Sequence, residues 1–194
     1  MRLPPAYYLY AVATRITAPL IRRSIHRKMA AAGAAARAPE RFGYPSLPRP
    51  KGRLVWMHAV SVGELLSVLG LIRTLQEKAP DLQVLITTTT TTSADLAAKR
   101  LPDGVIHQVS PLDTPGAVRR FLDHWQPDLA AFVESEIWPR QIVETHRRGI
   151  PLALIQARLS EKSLSRWRKF PRTAQALLNR FSLVLCQIDA TRDA

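Results

Sequence analysis

The sequence predicts an α/β protein built on a parallel sheet flanked by helices. From Arg53 onward, short apolar or β-branched runs alternate with stretches of helical period, which is the pattern of successive βαβ units. Prolines stand at or near the first turn of three of those helical stretches, at Pro115, Pro139 and Pro171, where a missing N–H costs nothing.

The predicted strands are Leu54 to Val60, Gln83 to Thr87, Val105 to Val109, Leu129 to Val133, Pro151 to Gln156 and Leu183 to Gln187. The helices between them run from Glu64 to Lys78, Ser93 to Arg100, Pro115 to His124, Pro139 to Arg148 and Pro171 to Phe181. Gly149, just past Arg147 and Arg148, marks a helix stop. This domain is expected over residues 53–194. Residues 31–52, rich in alanine and glycine and then holding Pro39, Pro45, Pro48 and Pro50, read as a linker or lead-in.

Residues 1–30 predict a membrane-associating helix. Pro5 to Leu20 is mostly apolar with Tyr7, Tyr8 and Tyr10, is interrupted by Arg15, and is followed by Arg22, Arg23, Arg27 and Lys28. The run is shorter than the roughly 20 apolar residues a spanning helix needs. A signal peptide would carry its charge before the apolar stretch rather than after it. Tyrosines at headgroup level with arginines facing anionic lipid suit a helix lying in the interface. An ordinary amphipathic helix packed on the domain is the alternative.

With 46% hydrophobic and 22% charged residues, wholesale disorder is excluded. The formal charge of +13, from 28 Lys and Arg against 15 Asp and Glu, points to an anionic partner: nucleic acid, an anionic membrane surface or a phosphorylated substrate. A solvated basic face is the plain alternative. The aromatic residues sit in apolar runs instead of interleaving with arginine, which argues against nucleic acid. Cys186 is the only cysteine, reads as a small buried hydrophobe, and makes cytoplasmic exposure the default.

Several chemistries lack their residues. The three-glycine dinucleotide fingerprint and the phosphate-binding loop are absent, as is a glycine-flanked serine nucleophile. The five histidines, at 26, 58, 107, 124 and 146, show no ligand spacing, so no metal is expected.

What remains is polar residues just past successive strands: Ser61 to Glu64, Thr88 to Ser93, Pro111 to Asp113, Glu134 to Glu136 and Gln156 to Ser160. Open parallel sheets bind ligands at that edge, where helix amino termini converge. Ser61 and Glu64 have capping-box spacing; the same carboxylate, ionised at a helix mouth, can also accept a proton from a substrate hydroxyl. Glu134 and Glu136, two apart in an extended segment, would point the same way, and capping of the helix at Pro139 is their alternative role.

Glu40 to Gly43, Trp56 to Glu64, Thr87 to Ser93, Pro111 to Asp113, Glu134 to Pro139 and Ala157 to Ser160 resemble, in order and spacing, the amino-terminal half of the 3-deoxy-D-manno-octulosonic acid (Kdo) transferases of lipopolysaccharide synthesis. The resemblance implies one Rossmann-like half of a GT-B glycosyltransferase, receiving lipid A precursor at the cytoplasmic face of the inner membrane. Glu64 is then the base, Glu134 a catalytic residue that helps stabilise the transition state, and Ser61, Gly63, Thr88, Glu136, Arg158 and Ser160 substrate contacts. The donor implied is CMP-Kdo, without metal or other cofactor. Family members continue into a donor-binding domain where this sequence ends at Ala194, so the expectation is an acceptor domain completed by that second domain in cis or trans. A non-catalytic module binding anionic lipid is the reading from another class.

Overall fold

The computed structural model describes residues 3–158 and 161–187. Six strands, β1 (Leu54–His58), β2 (Gln83–Thr88), β3 (Ile106–Val109), β4 (Leu129–Val133), β5 (Leu152–Ala157) and β6 (Leu183–Cys186), form one sheet. Their order is β3-β2-β1-β4-β5-β6 and every neighbouring pair is parallel. All six expected strands are present. β1 ends at His58 instead of Val60 because the Val60 N–H turns to bond the Glu64 carboxylate, Oε2, at 2.8 Å.

Alternation along the strands builds two cores. Leu54, Trp56, Phe132 and Leu154 meet Val118, Phe121 and Trp125 of α5 (Pro115–Trp125) and Ile142 and Val143 of α6 (Pro139–Arg147). Val55, Met57, Ile86 and Val133 meet Leu65, Val68 and Ile72 of α3 (Val62–Lys78) and Ala97 of α4 (Thr91–Arg100). The sheet is therefore covered on both sides, which is why its strands read as unbroken apolar runs. Two short helices without a sequence signal join these, α2 (Ala38–Arg41) and α7 (Glu161–Trp167), and α8 (Pro171–Leu178) leads into β6.

The amino-terminal helix α1 (Pro5–Ala31) packs outside the α5 and α6 layer, with Tyr7 buried in that core. Along its outer side Leu9, Val12, Ile16 and Leu20 recur every three or four residues and are all more than half exposed. Among the described residues no helix is long and apolar enough to cross a membrane.

The stretch expected as a lead-in is, over residues 38–43, part of the packed body. Glu40 is buried, held by Arg37 at 2.8 Å, and accepts from the Val109 N–H at 2.5 Å. Arg41 Nη1 donates to the Ser110 carbonyl at 2.6 Å, and its own carbonyl accepts from the Leu112 N–H. These bonds clasp the end of β3. At Gly43, φ is +82° and a Cβ would stand 2.1 Å from the Ala117 carbonyl oxygen of α5, so only glycine fits.

Gly43→Ala should therefore destabilise the fold by roughly 2 kcal/mol or more, read as a lowered urea midpoint. Gly33→Ala, where φ is +69° but nothing lies within 4 Å, should cost only about 1 kcal/mol. Equal losses would remove the close approach as the cause.

Candidate active site

Chain order in the sheet reverses direction between β1 and β4: β2 and β3 lie to one side, β5 and β6 to the other. In such sheets the helices after the two central strands go to opposite faces and leave a crevice at their carboxyl ends. The loops after β1 and β4 carry Glu64, Glu134 and Glu136 to this point.

Glu64 sits in the first turn of α3. Ser61 is the N-cap: its Oγ accepts the Glu64 N–H at 3.3 Å and donates to Glu64 Oε1 at 3.0 Å. The Ser61 half of the capping box expected from spacing is present, but the Glu64 carboxylate reaches back to the Val60 N–H and the Ser61 hydroxyl in place of the N-cap N–H; Glu64 is only 6% exposed. Both carboxylate oxygens are engaged, and each keeps further lone-pair capacity. Burial raises the Glu64 pKa above the usual carboxylate value; the bonds from Val60 and Ser61 oppose this and the Glu134 charge adds to it. Gly63 is exposed, and an added Cβ would meet only Ser61 Oγ, at 4.0 Å, so its bare backbone leaves the approach to this turn open.

Glu134 does not continue β4 as extended chain. Its φ is 58°, its N–H donates to the Ile155 carbonyl at 2.9 Å, and residues 134 and 135 form a turn. The parity expected for Glu134 and Glu136 therefore does not apply, although the Glu134 charge acts on both Glu64 and Glu136. At the end of the adjacent strand Gln156 has φ 52°, with its Nε2 donating to the Ser67 carbonyl of α3 at 3.3 Å. Two left-handed non-glycine residues side by side mark a backbone held against its preference, a feature of functional edges.

Glu136 is half-buried and accepts from Trp138 Nε1 at 2.5 Å. Burial, with the Glu64 charge second, pushes its pKa up to about 7; the Trp138 bond works against the rise and Glu134 adds to it. The Glu64 and Glu134 charges thus both disfavour the ionised form of Glu136. The alternative role of Glu134 and Glu136, capping α6, is taken by Asp113: its buried carboxylate accepts the Arg140 and Gln141 N–H groups at 3.0 and 2.7 Å, and Tyr10 Oη at 2.6 Å.

Other expected contacts fall differently. Thr88 is fully buried and its Oγ1 pairs with His107 Nε2 at 2.9 Å, so it faces the interior. Thr89, Thr90 and Thr91 line the surface there instead, in a cavity of about 340 Å³ with Lys28, Arg37 and Arg41. Burial holds Arg41 down at about 10, still charged at neutral pH. Arg158 is exposed just past β5, and Ser160 lies outside the described residues. His58 is buried in β1, its Nδ1 2.9 Å from Thr87 Oγ1 and its pKa lowered by burial to about 3, so it stays neutral. Sequence reasoning missed Trp138 as the partner of Glu136 and Gln156 as a strained residue. Trp138 did lie within the Glu134 to Pro139 stretch; Gln156 carries no local signal.

The model of the family described as 3-Deoxy-D-manno-octulosonic-acid transferase (kdotransferase) matches residues 36–194. The chain belongs to this family. It is 43% identical over 182 residues to the probable mitochondrial 3-deoxy-D-manno-octulosonic acid transferase of Arabidopsis thaliana, covering 92% of this chain and 40% of that one. It is 42% identical over 134 residues to the 3-deoxy-D-manno-octulosonic acid transferase of Rickettsia prowazekii (69% and 29%), and 36% identical over 154 residues to that of Haemophilus influenzae (78% and 36%). The chain thus spans two fifths or less of the length of these relatives.

Because Glu136 titrates near about 7 when folded, its contribution to stability is complete below the ordinary carboxylate range and is lost as pH rises through neutrality. Glu136→Gln fixes the uncharged form. The variant should melt a few degrees above the parent near pH 8, with the gap shrinking progressively toward pH 5. A gap that does not change with pH would show that Glu136 carries no raised pKa.

Proposed function

We propose that this chain is the acceptor-binding domain of an inverting glycosyltransferase that moves Kdo from CMP-Kdo to a lipid A precursor. The observation that carries this reading is Glu64: a carboxylate of raised pKa at the topological switch point, in a chain of the Kdo transferase family. Its proton affinity is tuned toward neutrality by burial, which suits a general base.

In the proposed reaction the Glu64 carboxylate takes the proton of an acceptor sugar hydroxyl. The freed oxygen attacks the anomeric carbon of Kdo from the face opposite the nucleotide, and the bond to CMP breaks with its electron pair leaving on the phosphate. A single displacement of this kind needs one base and inverts the centre. It requires no metal or other cofactor in this reading. Glu134 shapes the charge of the crevice, and Arg158 and Ser160 contact the anionic acceptor.

The donor nucleotide belongs to a second domain, in the GT-B arrangement, supplied in cis or trans. The apolar run of β6 supports such a covering partner: Leu183, Val184 and Leu185 are 42 to 51% exposed at the sheet edge, where an unpaired apolar strand is otherwise a hazard. The exposed stripe of α1 and the basic surface support seating at the cytoplasmic face of the inner membrane, where a lipid acceptor resides. Nucleic acid has no part in it.

Supplied with the carboxyl-terminal half of a relative, the chain should transfer Kdo from CMP-Kdo to lipid A precursor, and Glu64→Gln should lower kcat by about two to four orders of magnitude. Full turnover by the variant would remove the base assignment. Vesicle binding without turnover, even with the partner half present, would leave the non-catalytic lipid-binding module as the function.

A further inference from the structure

A cavity of about 820 Å³ lies between α1 and the outer faces of α5 and α6. None of its lining residues belongs to the loops that carry Glu64, Glu134 and Glu136. It is a separate place on the molecule.

Its walls are basic. Arg15 and Arg22 come from α1, Arg119 and Arg120 from α5, Arg140 from the start of α6 and Arg148 from just past its end; Glu144 is the one acidic lining residue. That carboxylate is already shared, with Arg140 at 3.4 Å and with Arg147 and Arg148 at 3.7 Å each. Arg120 is spent on the Phe42 carbonyl and lies over the Tyr44 ring. Arg15, Arg22 and Arg119 are exposed and make no ion pair with any described residue. Arg140 is less available, its guanidinium lying over the Tyr7 ring with Nε buried and without a hydrogen-bond partner among the described residues.

Two further features specify the acceptor. Thr114, Pro115 and Gly116, the amino end of α5, open into the cavity; this end has no acid in its first turn and no side-chain cap, so its dipole favours negative charge. Val12, from the exposed apolar stripe of α1, lines the same cavity. The Thr114 N–H is bonded to the Leu112 carbonyl and Pro115 has none, so the guanidiniums are the main donors, and their planar forks match phosphate oxygens.

We infer that this cavity is a phosphate-binding site, separate from the carboxylate crevice, that takes the phosphate of an anionic headgroup while the α1 stripe enters the acyl region. Only the lipid source of the phosphate rests on the membrane-facing reading of α1; the arginine geometry stands without it.

The test compares two triple variants of equal charge: Arg15→Gln/Arg22→Gln/Arg119→Gln in the cavity, and Arg23→Gln/Arg27→Gln/Arg172→Gln on exposed surface outside its lining. Probes are phosphatidic acid vesicles by sedimentation and inorganic pyrophosphate by calorimetry. The cavity variant should lose roughly tenfold or more of its vesicle affinity, since each basic side chain near an anionic surface contributes severalfold, and the outer variant clearly less. Loss of pyrophosphate binding as well would show that free phosphate suffices; loss confined to vesicles would identify a lipid-borne group, and both support the site. Equal losses in the two triples, or none in the cavity variant, would overturn it. Leu9→Ser/Ile16→Ser separates the readings: if it leaves vesicle binding intact the interfacial role of α1 fails, while the pyrophosphate arm still decides the cavity.

Discussion

The carboxylate of Asp113 joins three parts of the chain that would otherwise have no common point. It is buried, and it accepts the first open N–H groups of α6 and the hydroxyl of Tyr10 on α1. Burial raises its pKa above the usual carboxylate value, and the three hydrogen bonds and the Arg140 charge oppose that rise, so each donor offsets part of the cost of burying the group. Through this residue the β3 to α5 connection sets where α6 begins. That start fixes Trp138, and Trp138 in turn holds Glu136 at the crevice. Seen from the other side, Tyr10 seats α1 against the α5 and α6 layer and so creates the arginine-lined cavity beneath it.

The electrostatics divide along the same line. A body of formal charge +13 gathers three glutamates at the one place where its sheet order reverses. Like charges brought together and partly removed from water disfavour one another's ionised form, and both Glu64 and Glu136 hold a proton more readily than an ordinary carboxylate. The strained backbone at Glu134 and Gln156 belongs to this edge as well. Two clusters of described arginines lie elsewhere, Arg37 and Arg41 beside the threonine loop and Arg15, Arg22, Arg119, Arg120, Arg140 and Arg148 under α1.

Much of this was legible in the sequence for a physical reason: strands buried on both faces leave unbroken apolar runs, and prolines mark helix starts wherever an N–H is dispensable. Glu64 was legible because a strand-to-helix junction is a local feature. Partners distant in sequence were not. Glu40 pairs with the N–H of Val109, and Asp113 caps a helix that starts at Pro139; neither leaves a trace in the residues beside it. Thr88 lies in a run of six identical side chains, and only the strand's register shows that it turns inward. The left-handed turn at Glu134 likewise broke an argument that assumed extended chain.

The sheet order also constrains how the chain reaches this structure. β1 is one of the two central strands, and its second neighbour is the other, β4, so Val55 waits for Leu129. On a ribosome the first three strands emerge with one flank of β1 unsatisfied until the fourth has been made, several seconds later at about 5 to 20 residues per second. Its long-range parallel pairings are slow to close. Nascent chains of this protein are therefore most vulnerable to misassociation in that interval, and any shielding of the bare flank of β1 by a chaperone acts before the crevice exists.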